Sequence, residues 1–348
     1  DYAEAHNNLG ATLKDLGQLE AAVKCYEKAI AINLDYVEAH NNLGIALHKL
    51  DKLDDAVECF EKALAIKPDF TDAYNSLGTT LKRLGQLDAA VKSYKKAIAV
   101  KPDYAEAHNN LGLVFYKLDQ LDAAVKCYEK ALAIQPDYAG AHNNLGLVFY
   151  KLGQLDAAAG CYEKALTLKP DYADAYANRG NVLKDLKQLD EAAASYESAI
   201  ALNPDLAFIL GDIYFTKMHL CIWDDLPSHL NELTTKINNN IKVLNPFPML
   251  ALIDDPEIQR KTAEIYTNEF FPQSYTLPKI SRYPKHSKIR IGYFSADFRN
   301  HPVSYLTAEL YEMHDRNQFE IYAFSFGSDT KDEMNLRIKA GVDHFHDV

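Results

Sequence analysis

Residues 107–136 read AHNNLGLVFYKLDQLDAAVKCYEKALAIQP, and the chain's architecture can be worked outward from them. Two amphipathic runs, Ala105 to Leu118 and Leu121 to Ile134, carry apolar residues at the spacing of one helix face. A short DQ turn separates them. Gly112, Ala124 and Ala131 are small enough to let two helices approach, while Leu111, Phe115 and Tyr128 fill the space between. Pro136 ends the second run because it lacks the N–H that another turn would need. A single helix pair cannot bury its own apolar face, so copies of it must stack.

The copies are present. AHNNLG occurs at residues 5, 39, 107 and 141, and the variants AYNSLG and AYANRG begin at Ala73 and Ala175, which sets a period of 34. Leu111, Gly112, Phe115, Ala124, Tyr128, Ala131 and Pro136 resemble the recurrent positions of the tetratricopeptide family. That resemblance covers residues 1–204 as six repeats and implies a right-handed superhelix with one long concave surface. A degenerate seventh unit is expected from Asp205 to about Asp225.

The bulk properties narrow the function. A formal net charge of −12 argues against nucleic acid as the main partner. No apolar run is long enough to span a bilayer and no secretory signal is visible, so a cytoplasmic location is expected. Cys25, Cys59, Cys127 and Cys161 share one repeat position with Ser93 and Ser195 and read as small packing residues, with no disulfide or metal role; Cys221 lies outside the series. The chain opens on Asp1 and closes on Val348 inside a strand-like run, as a piece of something longer would.

Two polar positions recur in the repeats. His6, His40, His108 and His142 exchange with Tyr74 and Tyr176, so the position reads as space-filling. A carboxamide precedes the repeat leucine or its equivalent at Asn8, Asn42, Asn110, Asn144 and Asn178, with Ser76 breaking the series. Asn disfavours helix by roughly 0.5 kcal/mol against Ala, so its recurrence asks for a reason. Either each Asn bonds its neighbouring repeat, or the row holds an extended polypeptide by its backbone, since an amide offers both donor and acceptor.

From Asp205 the period fades. CIWDDLPSHLNELTTKI reads as helix, with Trp223 sealing the last apolar face. A helix restarts near Asp255 on an Asp-Pro signal, and the prolines of residues 272–289 mark a linker. The expected organisation is therefore 1–204 repeats, 205–286 degenerate repeat, helical cap and linker, and 287–348 an α/β segment. In that last segment KIRIGYFS, FEIYAFSF and VDHFHDV alternate with helices at Val303–His314 and Asp332–Ala340. This is the opening of a parallel α/β sheet. Val303, Leu306, Leu310 and Met313 make one apolar stripe on the first of those helices. His301 falls in the loop at the carboxyl end of the first strand, the edge where such sheets bind ligands. Pro302 beside it suits a first helical position, and a helix N-terminus disfavours a charged imidazole. Gly292 stands alone, so the dinucleotide-binding reading is weak.

Repeats, cap, IRIGYFSADFRNHPVSYL and FEIYAFSFGSDTKDEM together resemble the O-linked N-acetylglucosamine transferase family, most nearly its bacterial SPINDLY-like members. The resemblance implies a two-lobed GT-B fold, metal-free and inverting, with UDP-N-acetylglucosamine as donor, no cofactor, and Ser or Thr of acceptor polypeptides as the site of attack. It places His301 in the catalytic centre as a candidate base, with Asp297 and Asn300 orienting the loop, and makes the Asn row the hold on the acceptor. Tyr305 stands where the family often has a second histidine, and Val303 where Thr is common. The resemblance also implies a second, donor-binding lobe after Val348, without which the chain would not turn over donor. A tetratricopeptide adaptor without chemistry is the competing reading, and another nucleotide sugar a third.

Overall fold

The computed structural model describes residues 2–271, 286–327 and 329–348. The chain divides into two compact units, Asp1–Gln273 and Ser274–Val348. Apart from its last four residues, the segment 272–289 read as a linker lies outside the described residues.

The first unit begins with six helix pairs: α1 (Ala3–Asp15) and α2 (Leu19–Ile32), α3 (Val37–Lys49) and α4 (Leu53–Ile66), α5 (Thr71–Arg83) and α6 (Leu87–Val100). They continue with α7 (Ala105–Lys117) and α8 (Leu121–Ile134), α9 (Ala139–Lys151) and α10 (Leu155–Leu168), α11 (Ala173–Asp185) and α12 (Leu189–Leu202). Within each pair the turn needs one left-handed residue: Gly17, Gly85 and Gly153 take it freely, and Asp51, Asp119 and Lys187 take it at φ 60–65°. Burial follows the helical period, as with Ala22, Tyr26 and Ala29 along α2. An aromatic from each second helix lies flat on a glycine of the first, Tyr26 on Gly10, Phe60 on Gly44, Tyr128 on Gly112, Tyr196 on Gly180. These rings are essentially fully buried and each contributes about 2–3 kcal/mol of apolar burial. The repeat histidines do fill space, and they also fasten the turn before them: the rings of His40, His108 and His142 bond the carbonyls of Leu34, Pro102 and Pro136 at 2.9–3.1 Å. First helices of consecutive pairs touch one another, which makes them the inner row of the array.

After the sixth pair come α13 (Ile209–His219), α14 (Leu226–Asn238), α15 (Pro246–Leu252) and α16 (Pro256–Phe270). Two expectations are corrected here. Helix does not begin at Cys221: the backbone turns left-handed at Cys221 and Asp225, and α14 starts at Leu226. That turn carries Trp223 outward, half exposed, so it seals nothing. The end of the array is closed instead by Leu233, Ile237, Leu244, Met249 and Ile258, packed on Ala199, Ile213 and Tyr214. Asp255 caps α16 as its sequence signalled, its carboxylate accepting the N–H groups of Glu257 and Ile258.

The second unit is β1 (Ile289–Ser295), α17 (Pro302–Met313), β2 (Phe319–Ser325), α18 (Glu333–Ala340) and β3 (His344–Asp347). The three strands are parallel in the order β1-β2-β3, with Ile289 opposite Phe319 and Tyr322 opposite His344. One sheet face packs Tyr293, Ala323 and Phe345 against Ala308, Tyr311, Met334 and Ile338. On the other, Phe294 stacks on Phe324 at 4.6 Å and Phe324 on His346 at 5.1 Å. The apolar stripe of α17 faces away from the sheet: Val303, Leu306, Leu310 and Met313 are exposed, and the helix buries Ser304, Ala308 and Tyr311. The Ser304 hydroxyl, bonded to the Asp297 carbonyl, fixes that rotation.

Candidate functional site

In the first unit the Asn residues pair across repeats. Asn42 Nδ2 donates to Asn7 Oδ1 at 3.0 Å, Asn110 to Asn75 at 3.1 Å, Asn144 to Asn109 at 3.0 Å and Asn178 to Asn143 at 3.0 Å. The acceptors Asn7, Asn75, Asn109 and Asn143 are buried and the donors Asn42, Asn110, Asn144 and Asn178 half-buried. Each bond uses one amide hydrogen of Asn42, Asn110, Asn144 or Asn178, leaving the other hydrogen and the carbonyl oxygen for a ligand. The bond to the neighbouring repeat is therefore present, and it sets these four carboxamides at equivalent places on successive inner helices. Asn8, in the first pair, is exposed and makes no such bond among the described residues. The buried partners Asn7, Asn75, Asn109 and Asn143 were missed from the sequence, although an Asn recurs at that repeat position, in an NN doublet at all but Asn75.

The row ends at a cavity of about 530 Å³ lined by Asn143, Asn178, Asn181, Phe208, Asp212 and Lys184 among others. Lys184 Nζ bonds Asp212 Oδ1 at 2.9 Å with both side chains largely covered. The phenol of Tyr150, one pair earlier, donates to Asp185 at 2.8 Å. This end of the inner row is therefore polar and rigidly bonded, with aromatic walls.

In the second unit, β1 delivers the loop Ala296–His301 to the carboxyl edge of the sheet. His301 is the N-cap of α17, its backbone extended and its Nδ1 accepting the Val303 N–H at 3.3 Å. Asp297 Oδ2 stands 3.7 Å from the same nitrogen. Both side chains are about one-third exposed, 36% and 31%. Asn300 faces the other way: its N–H donates to Asp332 Oδ2 at 2.9 Å, and its Oδ1 accepts the Met334 N–H at 3.2 Å. Asn335 adds a bond of 2.7 Å to the Phe298 carbonyl. Loss of solvent pushes the Asp332 carboxyl upward, but bonds from Thr330 and from the Asn300, Asn335 and Met334 backbones outweigh it and hold the group below its ordinary value. Gly327 closes the junction: a Cβ there would lie 1.9 Å from the Ala296 carbonyl oxygen, so only glycine lets the two loops meet.

The expected site residues thus separate into roles. His301 and Asp297 come together around Nδ1, while Asn300 anchors the loop to the start of α18 and does not touch the imidazole. Asp332 and Asn335 were not found in the sequence, since nothing local marks a residue that acts across 30 positions of chain. The two nitrogens of His301 then have different futures. With Nδ1 accepting from Val303, the neutral ring carries its proton on Nε2 and donates there; with the proton on Nδ1 facing Asp297, Nε2 becomes a base. Among the described residues no group of three or more His, Cys, Asp or Glu is placed to hold a metal ion, and no helix is long and apolar enough to cross a membrane.

Comparison with known proteins bears on both units. Residues 193–348 match the model of glycosyl transferase family 41. Tetratricopeptide models match residues 12–51, 80–119, 114–153 and 146–187, with 37–70, 173–206 and 59–92 covered by further models of the same repeat. The chain is 30% identical over 148 residues to a probable UDP-N-acetylglucosamine–peptide N-acetylglucosaminyltransferase, SEC, of Arabidopsis thaliana. That alignment covers 38% of this chain and 15% of the plant protein. It is 33% identical over 61 residues to a UDP-N-acetylglucosamine–peptide N-acetylglucosaminyltransferase of Caenorhabditis elegans, covering 18% of this chain and 5% of that one. The matches thus span only a small part of these relatives' length. Among solved structures, pilF of Pseudomonas aeruginosa superposes with a TM-score of 0.53 at 22% identity over 58% of this chain and 92% of that one. The APC/C hetero-tetramer Cut9–Hcn1 does so with 0.57 at 17% identity, over 74% and 48%. These two share the helical-repeat fold.

Proposed function

From a chain that joins tetratricopeptide repeats to a glycosyl transferase family 41 region, we propose a protein O-glycosyltransferase in which the array holds the acceptor polypeptide and the α/β unit carries part of the catalytic centre. The donor is UDP-N-acetylglucosamine and the acceptor a Ser or Thr hydroxyl. The hydroxyl oxygen attacks the anomeric carbon, the bond from that carbon to the diphosphate oxygen breaks, UDP leaves with the electron pair, and the configuration inverts. The hydroxyl proton must go to a base or be lost as charge develops, because an aliphatic alcohol is barely acidic. His301 takes that role. The observation that carries this is its position: a one-third-exposed imidazole at the carboxyl edge of a parallel sheet, with the Asp297 carboxylate 3.7 Å from Nδ1 and Nε2 without a hydrogen-bond partner among the described residues.

Base function requires the Nδ1–H tautomer, so Asp297 competes with the Val303 N–H for that nitrogen. Closing the 3.7 Å separation to hydrogen-bond length would select it. Asn300 and Asp332 hold the loop while this happens. The half-buried carboxamides of Asn42, Asn110, Asn144 and Asn178 bind the acceptor backbone, which tolerates varied sequences.

The test is intact-mass analysis of a Ser/Thr-rich peptide pool incubated with UDP-N-acetylglucosamine and the full-length protein. Peptides that gain one N-acetylhexosamine support the transferase, and His301→Ala should then abolish transfer while peptide and donor still bind. Wild-type turnover in that variant removes His301 from the mechanism. Peptides that bind but gain no sugar from any nucleotide donor leave a non-catalytic adaptor.

A further inference from the structure

The Asn row departs from its pattern at two places, and the two differ in kind. Every cross-repeat pair joins a residue to the one 35 positions later: 7 to 42, 75 to 110, 109 to 144, 143 to 178. By that rule Asn41 should pair with residue 76, which is serine, and Asn41 Oδ1 is left buried without a partner. That acceptor is sealed inside the stack, where no ligand reaches it. The second departure lies at the last repeat and is open.

One period of 34 beyond Asn178 stands Asp212, and one period beyond Asn143 stands Ala177. Helix α13, which carries Asp212, packs on α12 as each first helix packs on the second helix before it. Asp212 therefore holds the row position of a seventh, degenerate repeat, with a carboxylate in place of the carboxamide. The acceptor that a carboxamide would have bonded is gone, since Ala177 offers only a methyl group. Asp212 Oδ1 instead takes the ammonium of Lys184, on α11, at 2.9 Å.

A carboxamide donates and accepts from one side chain, whereas a carboxylate only accepts. Lys184 restores the missing half. Its ammonium has three hydrogens, of which Asp212 takes one, and it rests 5.7 Å from the centre of the Tyr196 ring. Asp212 Oδ2 makes no hydrogen bond among the described residues. Both side chains line the cavity of about 530 Å³ together with Asn178, the last carboxamide of the row.

We propose that Lys184 and Asp212 form the terminal rung of the row, a charge-paired equivalent of a carboxamide. Asp212 Oδ2 accepts a backbone N–H of the acceptor polypeptide, and Lys184 Nζ donates to a backbone carbonyl. This rests on the reading of the row as a polypeptide-binding face. The pair is neutral as a whole, so it suits an uncharged backbone. Hydrogen bonds to ionised groups are roughly twice as strong as neutral ones. The polypeptide is thereby held most firmly at the last repeat, with the carboxamides adding weaker bonds along its length.

The experiment is fluorescence anisotropy with a labelled, uncharged Gly/Ala/Ser peptide long enough to span the row. Asp212→Ala with Lys184→Met removes both charges together, and apolar replacement of a whole buried ion pair is commonly neutral or stabilising. Peptide affinity should nonetheless fall by about tenfold to thirtyfold. Asp212→Asn with Lys184→Gln keeps a donor and an acceptor without charge, and should lose about threefold to fivefold. Wild type supplies a readout that needs no substitution: bound peptide should slow acetylation of Lys184 by acetic anhydride, followed by mass spectrometry, and leave that of Lys24, exposed on α2, unchanged. Asn110→Ala with Asn144→Ala should weaken the same peptide. Wild-type affinity in Asp212→Ala with Lys184→Met, or acetylation of Lys184 that peptide does not slow, overturns the rung and leaves the row standing. A wild type that binds no peptide, or Asn110→Ala with Asn144→Ala that binds as wild type does, overturns the row and the rung with it.

Discussion

Gly112 and Gly160 sit inside helices of neighbouring pairs, and the same substitution should act on them with opposite sign. Glycine costs a helix interior about 1 kcal/mol relative to alanine, so Gly→Ala gains that much at either place before packing is counted. A Cβ on Gly160 would meet nothing within 4 Å, and Gly160→Ala should stabilise by about 0.5–1 kcal/mol. A Cβ on Gly112 would lie 2.8, 2.9 and 3.0 Å from three ring carbons of Tyr128. Carbon pairs prefer roughly 3.5–4.0 Å, so the ring would have to retreat by about 0.7 Å. Tyr128 is 1% exposed, with Ala124 and Ala131 beside it on α8, and has nowhere to go. Overpacking of this kind costs about 1–3 kcal/mol, which cancels or exceeds the helical gain. The two variants should therefore differ by about 1–3 kcal/mol, Gly160→Ala the more stable. At about 2–4 °C per kcal/mol for a domain of this size, the gap is readable in thermal unfolding followed by far-UV circular dichroism. A Gly112→Ala protein that melts as high as Gly160→Ala would refute the account of the glycine as a seat for the ring.

The hydroxyls of the stacked tyrosines offer a second contrast. Tyr162 Oη is buried without a partner, so Tyr162→Phe should leave Tm unchanged or raise it; Tyr196 donates to Asn181 at 2.8 Å, so Tyr196→Phe should lose about 1 kcal/mol in urea unfolding. The third concerns pH. Because His48 is held below its ordinary value in the folded protein, the unfolded chain takes up its proton first on acidification. The contribution is fully present above the ordinary histidine value of 6.5 and is lost as pH falls below it toward the folded value. Denaturation midpoints measured between pH 7 and pH 5 should decline, and His48→Gln should flatten part of that decline.

The array could be read from the sequence because a period of 34 repeats the same packing problem six times, and Gly, Ala, Tyr and Pro solve it identically each time. Helices α7 and α8 begin and end within a residue of their sequence reading for that reason. Two kinds of information were not legible. Apolar periodicity identifies a face but not what it faces, so the stripe from Val303 to Met313 was visible while its exposure was not. Long-range polar bonds leave no local trace: the ties from Asp332 and Asn335 to the His301 loop depend on the crossover from β1 to β2. Trp223 failed differently, because two left-handed residues that are neither Gly nor Asn gave no warning of the turn that expels it. The place of His301 was legible, since a proline after a polar residue beyond the end of a strand marks a helix start at the carboxyl edge of a parallel sheet.

The interface between the second and third repeats is not loose for lack of an Asn pair; its fastening has moved. His48 Nδ1 meets Thr80 Oγ1 at 2.9 Å, Arg83 donates to the His48 carbonyl at 3.0 Å, and the same guanidinium reaches Asp51 at 3.1 Å. These bonds gather at the carboxyl ends of α3 and α5, while the Asn41 end is left untied. Elsewhere adjoining repeats are pinned near the middle of their inner helices, but here they are hinged at one end. Amide hydrogen exchange along α3 and α5 should therefore be faster at the Asn41 end than at the His48 end, and equal protection at both ends would show that the missing pair leaves this joint as tight as the others.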